Sequence, residues 1–391
     1  MQKYGLETGY ISKAEKRDHL LKYTPKAEDL PPRSMEDSYM EAIIPLSLHS
    51  DLQMKYVSPV GTVRLGRLME ELDLFAVWIC QQHILLPNLP HNIPLPYTFA
   101  TALVDKLIFS KLLPAYNQDI RLTGHVSWVG RTSMEVRVWL EQKYEEKFRE
   151  ITHALFVIVA RNANNTAAVP VNPLKLDTDY EKKIFYQGEE RRKIRKISHE
   201  RSILNVKPLE EEHGLMYELF MKTSNNTNII LNNRILPKDT IWMTDSFLAS
   251  TFLSFPENRN AQYTVFGGFL MRSSFEISWI CAYLHCGQRP SCKRCSDITF
   301  EKPVPMGSII KMMAYIVYTE GKHMQIMTVA EILDPSGKIT LTTNRFYYTF
   351  SCAGKVTTVL PRTYHETMWY IHGRRIFNYA MENEKSDEVK T

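Results

Sequence analysis

The stretch YTVFGGFLMRSSFEISWIC, from Tyr263 to Cys281, decides the fold. It begins as a β-type run, breaks at Gly267-Gly268 and continues as a helix that is apolar on most sides. A helix of this kind must be buried, and its start after two glycines leaves backbone N–H groups at the positive end of the helix dipole. The stretch therefore predicts a buried central helix, with Glu276 as a carboxylate carried into the interior.

A second copy of this stretch, GTVRLGRLMEELDLFAVWIC, runs from Gly61 to Cys80. The tripeptide Trp78-Ile79-Cys80 returns about 200 residues later as Trp279-Ile280-Cys281, and flanking segments match in the same order at similar offsets. A period this long is too long for a solenoid, and it indicates a duplicated domain.

Each copy of the helix is followed by four β-type segments with the lengths and turns of an antiparallel meander. A long helix wrapped by a curved antiparallel sheet, present twice, predicts an α+β chain of two tandem hotdog domains, because each copy covers the sheet edge that the other leaves bare. The predicted division is a polar N-terminal extension (1–30), hotdog domain 1 (31–170), a charged connector with a helix (171–235), hotdog domain 2 (236–375) and a C-terminal tail (376–391).

Composition gives little information about binding partners. The chain has 391 residues, a formal net charge of +5, 44% hydrophobic and 23% charged residues, which suits two or three domains and gives no reason to expect nucleic acid. No run of 18 apolar residues exists, so no membrane span is expected. The N-terminus shows neither a signal-peptide core nor a transit-peptide composition, and six unevenly placed cysteines indicate reduced thiols inside a cell.

Two further clusters of residues, one basic and one of cysteines, have both a structural and a functional interpretation. The basic run from Arg191 to Lys196 is most often a solvated helix face, while contact with a phosphate-bearing ligand stays open. Cys292 and Cys295 have the spacing of half a zinc site, but the sequence has no second pair to complete it, so no metal site is expected. No serine stands on a G-x-S-x-G turn, which removes the nucleophile elbow.

Four segments carry a family resemblance: PPRSMEDSY (31–39), HVSWVGRTSMEV (125–136), ALFVIVARN (154–162) and FGGFLMR (266–272). They resemble the tandem-hotdog acyl-coenzyme A thioesterases, in particular the mitochondrial group that includes acyl-coenzyme A thioesterase 9. The resemblance implies cofactor-free hydrolysis of fatty acyl-CoA to a free acid and coenzyme A. It also implies a homo-oligomer and a mitochondrial location, with the cytoplasm as the second choice.

The resemblance also implies a site between the copies, where a helix carboxylate of one copy faces an asparagine of the other and backbone N–H groups stabilise the oxyanion. Carried over, the acid falls on Asp73, seven residues after Gly66, and a second candidate is Glu276, eight after Gly268. Backbone N–H groups near the two glycines are the expected oxyanion donors. The alternatives are an exposed position for Asp73, ion pairing with Arg272 for Glu276, and mere close packing for the glycines.

The family asparagine falls five residues before the glycine, where this sequence has Gly61 and Tyr263. Neither residue supplies a carboxamide, although Tyr263 retains a hydroxyl and Asn260 stands close by. The leading hypothesis is therefore an acyl-CoA thioesterase with Asp73 and Glu276 as its acids. The alternative is a catalytically impaired hotdog protein that binds acyl-CoA without cleaving it.

Overall fold

The structure, a computed structural model, describes residues 17–109, 114–144, 147–200, 207–224, 234–260 and 263–388. The helices are α1 (Ser50–Tyr56), α2 (Leu65–His83), α3 (Asp179–Glu200), α4 (Glu210–Lys222), α5 (Gly267–Cys286) and α6 (Tyr364–Glu388). The strands are β1 (Met40–Ile44), β2 (Tyr97–Phe109), β3 (Ile120–Val129), β4 (Ser133–Tyr144), β5 (Lys147–Asn162), β6 (Thr240–Trp242), β7 (Leu248–Leu253), β8 (Ser291–Phe300), β9 (Ile309–Glu320), β10 (His323–Leu333), β11 (Ile339–Ser351) and β12 (Thr358–Leu360).

Within the described ranges, one ten-stranded sheet has the order β1-β3-β4-β5-β2-β8-β11-β10-β9-β7. Every neighbouring pair in this sheet is antiparallel. The order from the β1 edge inward is repeated from the β7 edge inward, and the two halves join where β2 pairs with β8, with Leu103 opposite Thr299. The predicted α+β class, with helices on an antiparallel sheet, is confirmed.

The two long helices predicted from the repeat lie on this sheet, one on each half. Helix α2 packs on β3 and β4, α5 packs on β9 and β10, and the two helices contact each other. Along α2 the buried side chains Leu68, Leu72, Phe75 and Ile79 recur every three or four residues, which directs one face to the sheet. The helix starts approach closely, because a Cβ on Gly268 would lie 3.0 Å from the Glu70 backbone.

The connector and the C-terminal residues differ from the sequence expectation. Helix α3 precedes the expected connector helix, which is α4, and α3 packs on β3. Within the basic run, Arg191 and Arg195 both bond to the fully buried Glu135 of β4, so two of its cations serve an internal ion pair. The segment expected as a tail from residue 376 begins inside α6, which packs on the second half of the sheet and buries Phe377 and Ala380. Aromatic and aliphatic side chains recur there at helical spacing.

The predicted N-terminal extension lies partly outside the described residues, because its first described residue is Arg17. The described part, 17–30, is not detached: Arg17, Leu20 and Leu30 are buried, and Arg17 donates to the backbone carbonyls of Leu95 and Tyr97. Across the part of the chain that the structure covers, no helix is both long and apolar enough to cross a bilayer.

Candidate functional site

A matching turn precedes each of the two long helices. In the first half, Gly61 has φ +75°, and the Ser58 N–H donates to a carbonyl four residues later. In the second half, Tyr263 has φ +58°, and the Asn260 N–H donates to the Thr264 carbonyl at 2.9 Å. Both positions lie in the left-handed region, where a tyrosine is uncommon. The shared hydrogen bonds make Asn260 the counterpart of Ser58, and Tyr263 the counterpart of Gly61.

When residues are counted from the first residue of each helix, the two candidate acids do not occupy equivalent positions. Asp73 is the ninth residue of α2, whereas the ninth residue of α5 is Phe275, and Glu276 follows it. Since each helical residue turns the side chain by about 100°, Glu276 points in a different direction from Asp73. Its carboxylate is half-exposed and forms an ion pair with Arg64, which precedes α2. The alternative of pairing with Arg272 does not hold, because Arg272 bonds to Glu70 at 2.8 Å.

Asp73 lies in the wall of a cavity of about 820 Å³ formed by both halves of the chain. The first half contributes α2 and the start of β2, and the second contributes the turn before α5, the start of α5 and residues 300–304. Asp73 itself has no exposed surface, so the alternative of an exposed helix residue does not hold. This cavity is the candidate active site.

The Asp73 carboxylate is held by groups from two other elements. Its Oδ1 accepts a 2.6 Å hydrogen bond from the Thr101 hydroxyl of β2. Burial raises the pKa of Asp73 from its ordinary value of 3.8 to about 6, opposed by the Thr101 hydrogen bond and by the backbone N–H of Gly268, which points toward the carboxylate. Among the described residues, Oδ2 has no partner in good hydrogen-bond geometry. Asp73 is thus a carboxylate poised to change protonation near neutral pH.

Asn260 lines the same cavity from the second half. Its side chain is oriented by Thr264, whose hydroxyl accepts from Nδ2 at 2.7 Å and whose N–H donates to Oδ1 at 3.1 Å. Tyr263 also lines the cavity, and the Arg259 guanidinium lies 4.6 Å from the centre of its ring. The turn therefore contributes a carboxamide to the wall of the cavity that Asp73 also lines.

The structure divides the predicted site residues into two groups. Asp73, Tyr263 and the Gly268 N–H come together at the cavity. Gly66 and Glu276 lie elsewhere: a Cβ on Gly66 would contact Arg272 and Glu276, so Gly66 permits helix packing. Thr101 was missed by sequence reasoning, because a threonine in a β-strand is ordinary and nothing local marks it as the partner of an acid.

No protein-family model matches the chain. It is 38% identical over 370 residues to acyl-coenzyme A thioesterase 9, mitochondrial, of Bos taurus, with 94% of this chain and 84% of that protein covered. It is 36% identical over 371 residues to acyl-coenzyme A thioesterase 10, mitochondrial, of Mus musculus, with the same shares covered. Among solved structures, an acyl-CoA hydrolase from Staphylococcus aureus is 24% identical, with a TM-score of 0.34, 39% of this chain and 93% of that chain covered.

Proposed function

This chain belongs to the acyl-coenzyme A thioesterase family, and we propose that it hydrolyses fatty acyl-CoA to a free acid and coenzyme A in the cavity between its two halves. The observation that carries the proposal is the buried Asp73 of one half in the same cavity as Asn260 of the other. The impaired alternative rested on Gly61 and Tyr263 in place of asparagine. It is not favoured, because Asn260 supplies a carboxamide and the relatives are named as thioesterases.

Each half is, in this proposal, one hotdog unit, with α2 and α5 as the central helices and 31–170 and 236–375 as the units. The repeated strand order supports this division, since two copies of one topology meet edge to edge at β2 and β8. A mitochondrial location is proposed from the names of the relatives, and a homo-oligomer from the family resemblance.

Asp73 acts as the general base in the proposed mechanism. A pKa of about 6 leaves it mostly ionised at neutral pH yet basic enough to take a proton. Water oxygen attacks the thioester carbonyl carbon while its proton passes to Asp73. The oxyanion forms against the backbone N–H groups that open α5 near Gly268. When the C–S bond breaks, the departing thiolate takes the proton back from Asp73, so the residue is regenerated.

The same geometry supports, among the described residues, one such site and no second site at the corresponding positions. At the position that corresponds to Asp73, the second helix has Phe275, and at the position that corresponds to Asn260, the first turn has Ser58. The corresponding pair thus has neither an acid nor a carboxamide. Glu276 is assigned to the ion pair with Arg64.

The test is thiol release from acyl-CoA by Asp73→Asn, with Glu276→Gln as the matched control on the other helix. We expect kcat to fall at least 10²-fold in Asp73→Asn, because the amide cannot accept the proton of water, and to stay within about twofold in Glu276→Gln. Circular dichroism confirms that both variants fold. A normal rate in Asp73→Asn, or an equal loss in both variants, would reject the assignment of Asp73.

A further inference from the structure

The two long helices meet at their sixth residues, Glu70 on α2 and Arg272 on α5. A Cβ added to Gly268, the second residue of α5, would lie 3.0 Å from both the Cα and the carbonyl oxygen of Glu70. A Cβ added to Gly66, the second residue of α2, would lie 3.3 Å from the Cγ of Arg272. The start of each helix therefore packs against the sixth residue of the other.

The two sixth residues carry opposite charges and bond to each other. Glu70 Oε2 accepts from Arg272 Nη1 at 2.8 Å and from Arg67 Nη1 at 2.7 Å. The side chains of Glu70 and Arg272 are only 16% and 21% exposed, so salt and water screen this pair less than an exposed one. The Arg272 guanidinium also lies 5.2 Å from the centre of the Phe269 ring, which restricts where it points. These contacts fix the start of α5 relative to α2.

Opposite charges at this point depend on a difference in sequence between the two halves. In two identical helices related by a twofold axis, a residue at the meeting point faces the same residue of the other copy. Two acids or two arginines would then repel each other. In this chain the two positions are encoded separately, and one is acidic while the other is basic. The pair is thus a feature that a single chain with two unequal halves makes possible.

The Glu70–Arg272 pair lies beside the proposed chemistry. Glu70 stands one helical turn before Asp73 and lines the candidate active-site cavity with it. The residue packed against Glu70 is Gly268, whose backbone N–H points toward the Asp73 carboxylate. A shift of α5 along α2 therefore moves this N–H away from Asp73 and from the position of the oxyanion. A misplacement of about 1 Å in an active site can cost about 10²-fold in rate.

We infer that Glu70 and Arg272 are positioning residues for the proposed hydrolysis, and that their ion pair holds the start of α5 where its backbone N–H groups face Asp73 and the thioester carbonyl. This inference rests on the proposed function. The other ion pair between the helices, Arg64 with Glu276, has no such role. Its side chains are 37% and 39% exposed, and neither residue lines the cavity.

The experiment is a double-mutant cycle with Glu70→Gln, Arg272→Met and the double variant, measured as steady-state hydrolysis of butyryl-CoA and palmitoyl-CoA. Each single variant should lower kcat about tenfold and leave KM within about twofold, because the N–H groups of α5 act on charge that develops in the transition state. The double variant should also lose about tenfold, since the second substitution has no pair left to break. Independent effects would instead multiply to about 10²-fold.

Glu276→Gln is the matched control, because it breaks the other ion pair between the same two helices. It should leave kcat and KM within about twofold. Circular dichroism and the denaturant midpoint confirm that each variant folds. If Arg272→Met does not fold, Arg272→Gln gives the same test with a polar side chain at this partly exposed position.

Four results would overturn the inference. Multiplied losses in the double variant would show that Glu70 and Arg272 act separately, and unchanged rates in both single variants would show that the pair has no role in the reaction. A raised KM with unchanged kcat would place the two residues in substrate binding. An equal loss in Glu276→Gln would show that the effect is not specific to this pair. Failure of the proposed function is distinguishable, because the wild type would then hydrolyse neither substrate.

Discussion

The two long helices follow matching turns, share glycine, leucine and methionine at their second, fourth and fifth residues, and carry different kinds of side chain at the ninth. On α2 this residue is Asp73, held by a threonine hydroxyl in the wall of the cavity. On α5 it is Phe275, which is 5% exposed and packs its ring 5.6 Å from that of Tyr348 and 5.9 Å from that of Phe350. The same backbone position thus carries a group suited to chemistry in one half and core packing in the other.

Charged residues between α2 and α5 form ion pairs with each other. Arg272 of α5 bonds to Glu70 of α2. In the second pair the acid is on α5, because Glu276 pairs with Arg64, which directly precedes α2. These pairs are partly exposed, so each contributes little to stability. Their charges are matched within the helix pair, and Glu70 also lines the cavity beside Asp73. Three predictions test this contrast between α2 and α5.

Phe275→Ala should lower the free energy of unfolding by about 3–5 kcal/mol, because a large buried ring is lost and the core around it collapses only in part. Denaturant unfolding measures the change. Ile280→Ala on the same helix is the control, since Ile280 is 44% exposed and should change stability by less than about 1 kcal/mol. Similar losses in the two variants would show that Phe275 is not a packing residue.

Asp73 should destabilise the folded protein as the pH rises. Its folded pKa of about 6 exceeds its ordinary value of 3.8, so the folded state binds the proton more tightly. The resulting stability is fully present below pH 3.8 and is lost as the pH rises through about 6, by roughly 3 kcal/mol at 1.36 kcal/mol per pKa unit. Asp73→Asn should lack this part of the pH dependence. Parallel stability curves for variant and wild type between pH 4 and 8 would contradict it.

Asn260→Ala should lower kcat by about tenfold to 10²-fold, which corresponds to roughly 1.4–2.7 kcal/mol, because the cavity loses its carboxamide. Ser58→Ala, at the corresponding position of the first turn, should leave kcat unchanged. Steady-state hydrolysis of a short acyl-CoA measures both. The contrast between the halves would fail if the serine variant lost as much activity as the asparagine variant.

Part of this site could be predicted from the sequence. The repeat predicted both helices, and the family resemblance predicted Asp73 as the acid. Counting five residues back from each glycine, however, led to Gly61 and Tyr263, whereas the hydrogen bonds of the turn bring Asn260 to the cavity. The prediction of Glu276 as a second acid rested on its apolar neighbours in sequence, and such neighbours do not reveal which way a helical side chain points.

The sequence by itself determined the α+β class, because helical periodicity and strand alternation are local patterns. The repeated residues predicted a duplication, and the family resemblance predicted Asp73 as the acid. The tertiary structure decided the rest. The pKa of Asp73 depends on burial and on Thr101 and Gly268, which come from β2 and from the other half of the chain. The candidate active-site cavity exists because α2 and β2 of one half meet the turn before α5 and residues 300–304 of the other. These properties arise from contacts between distant residues, and no local pattern encodes such contacts.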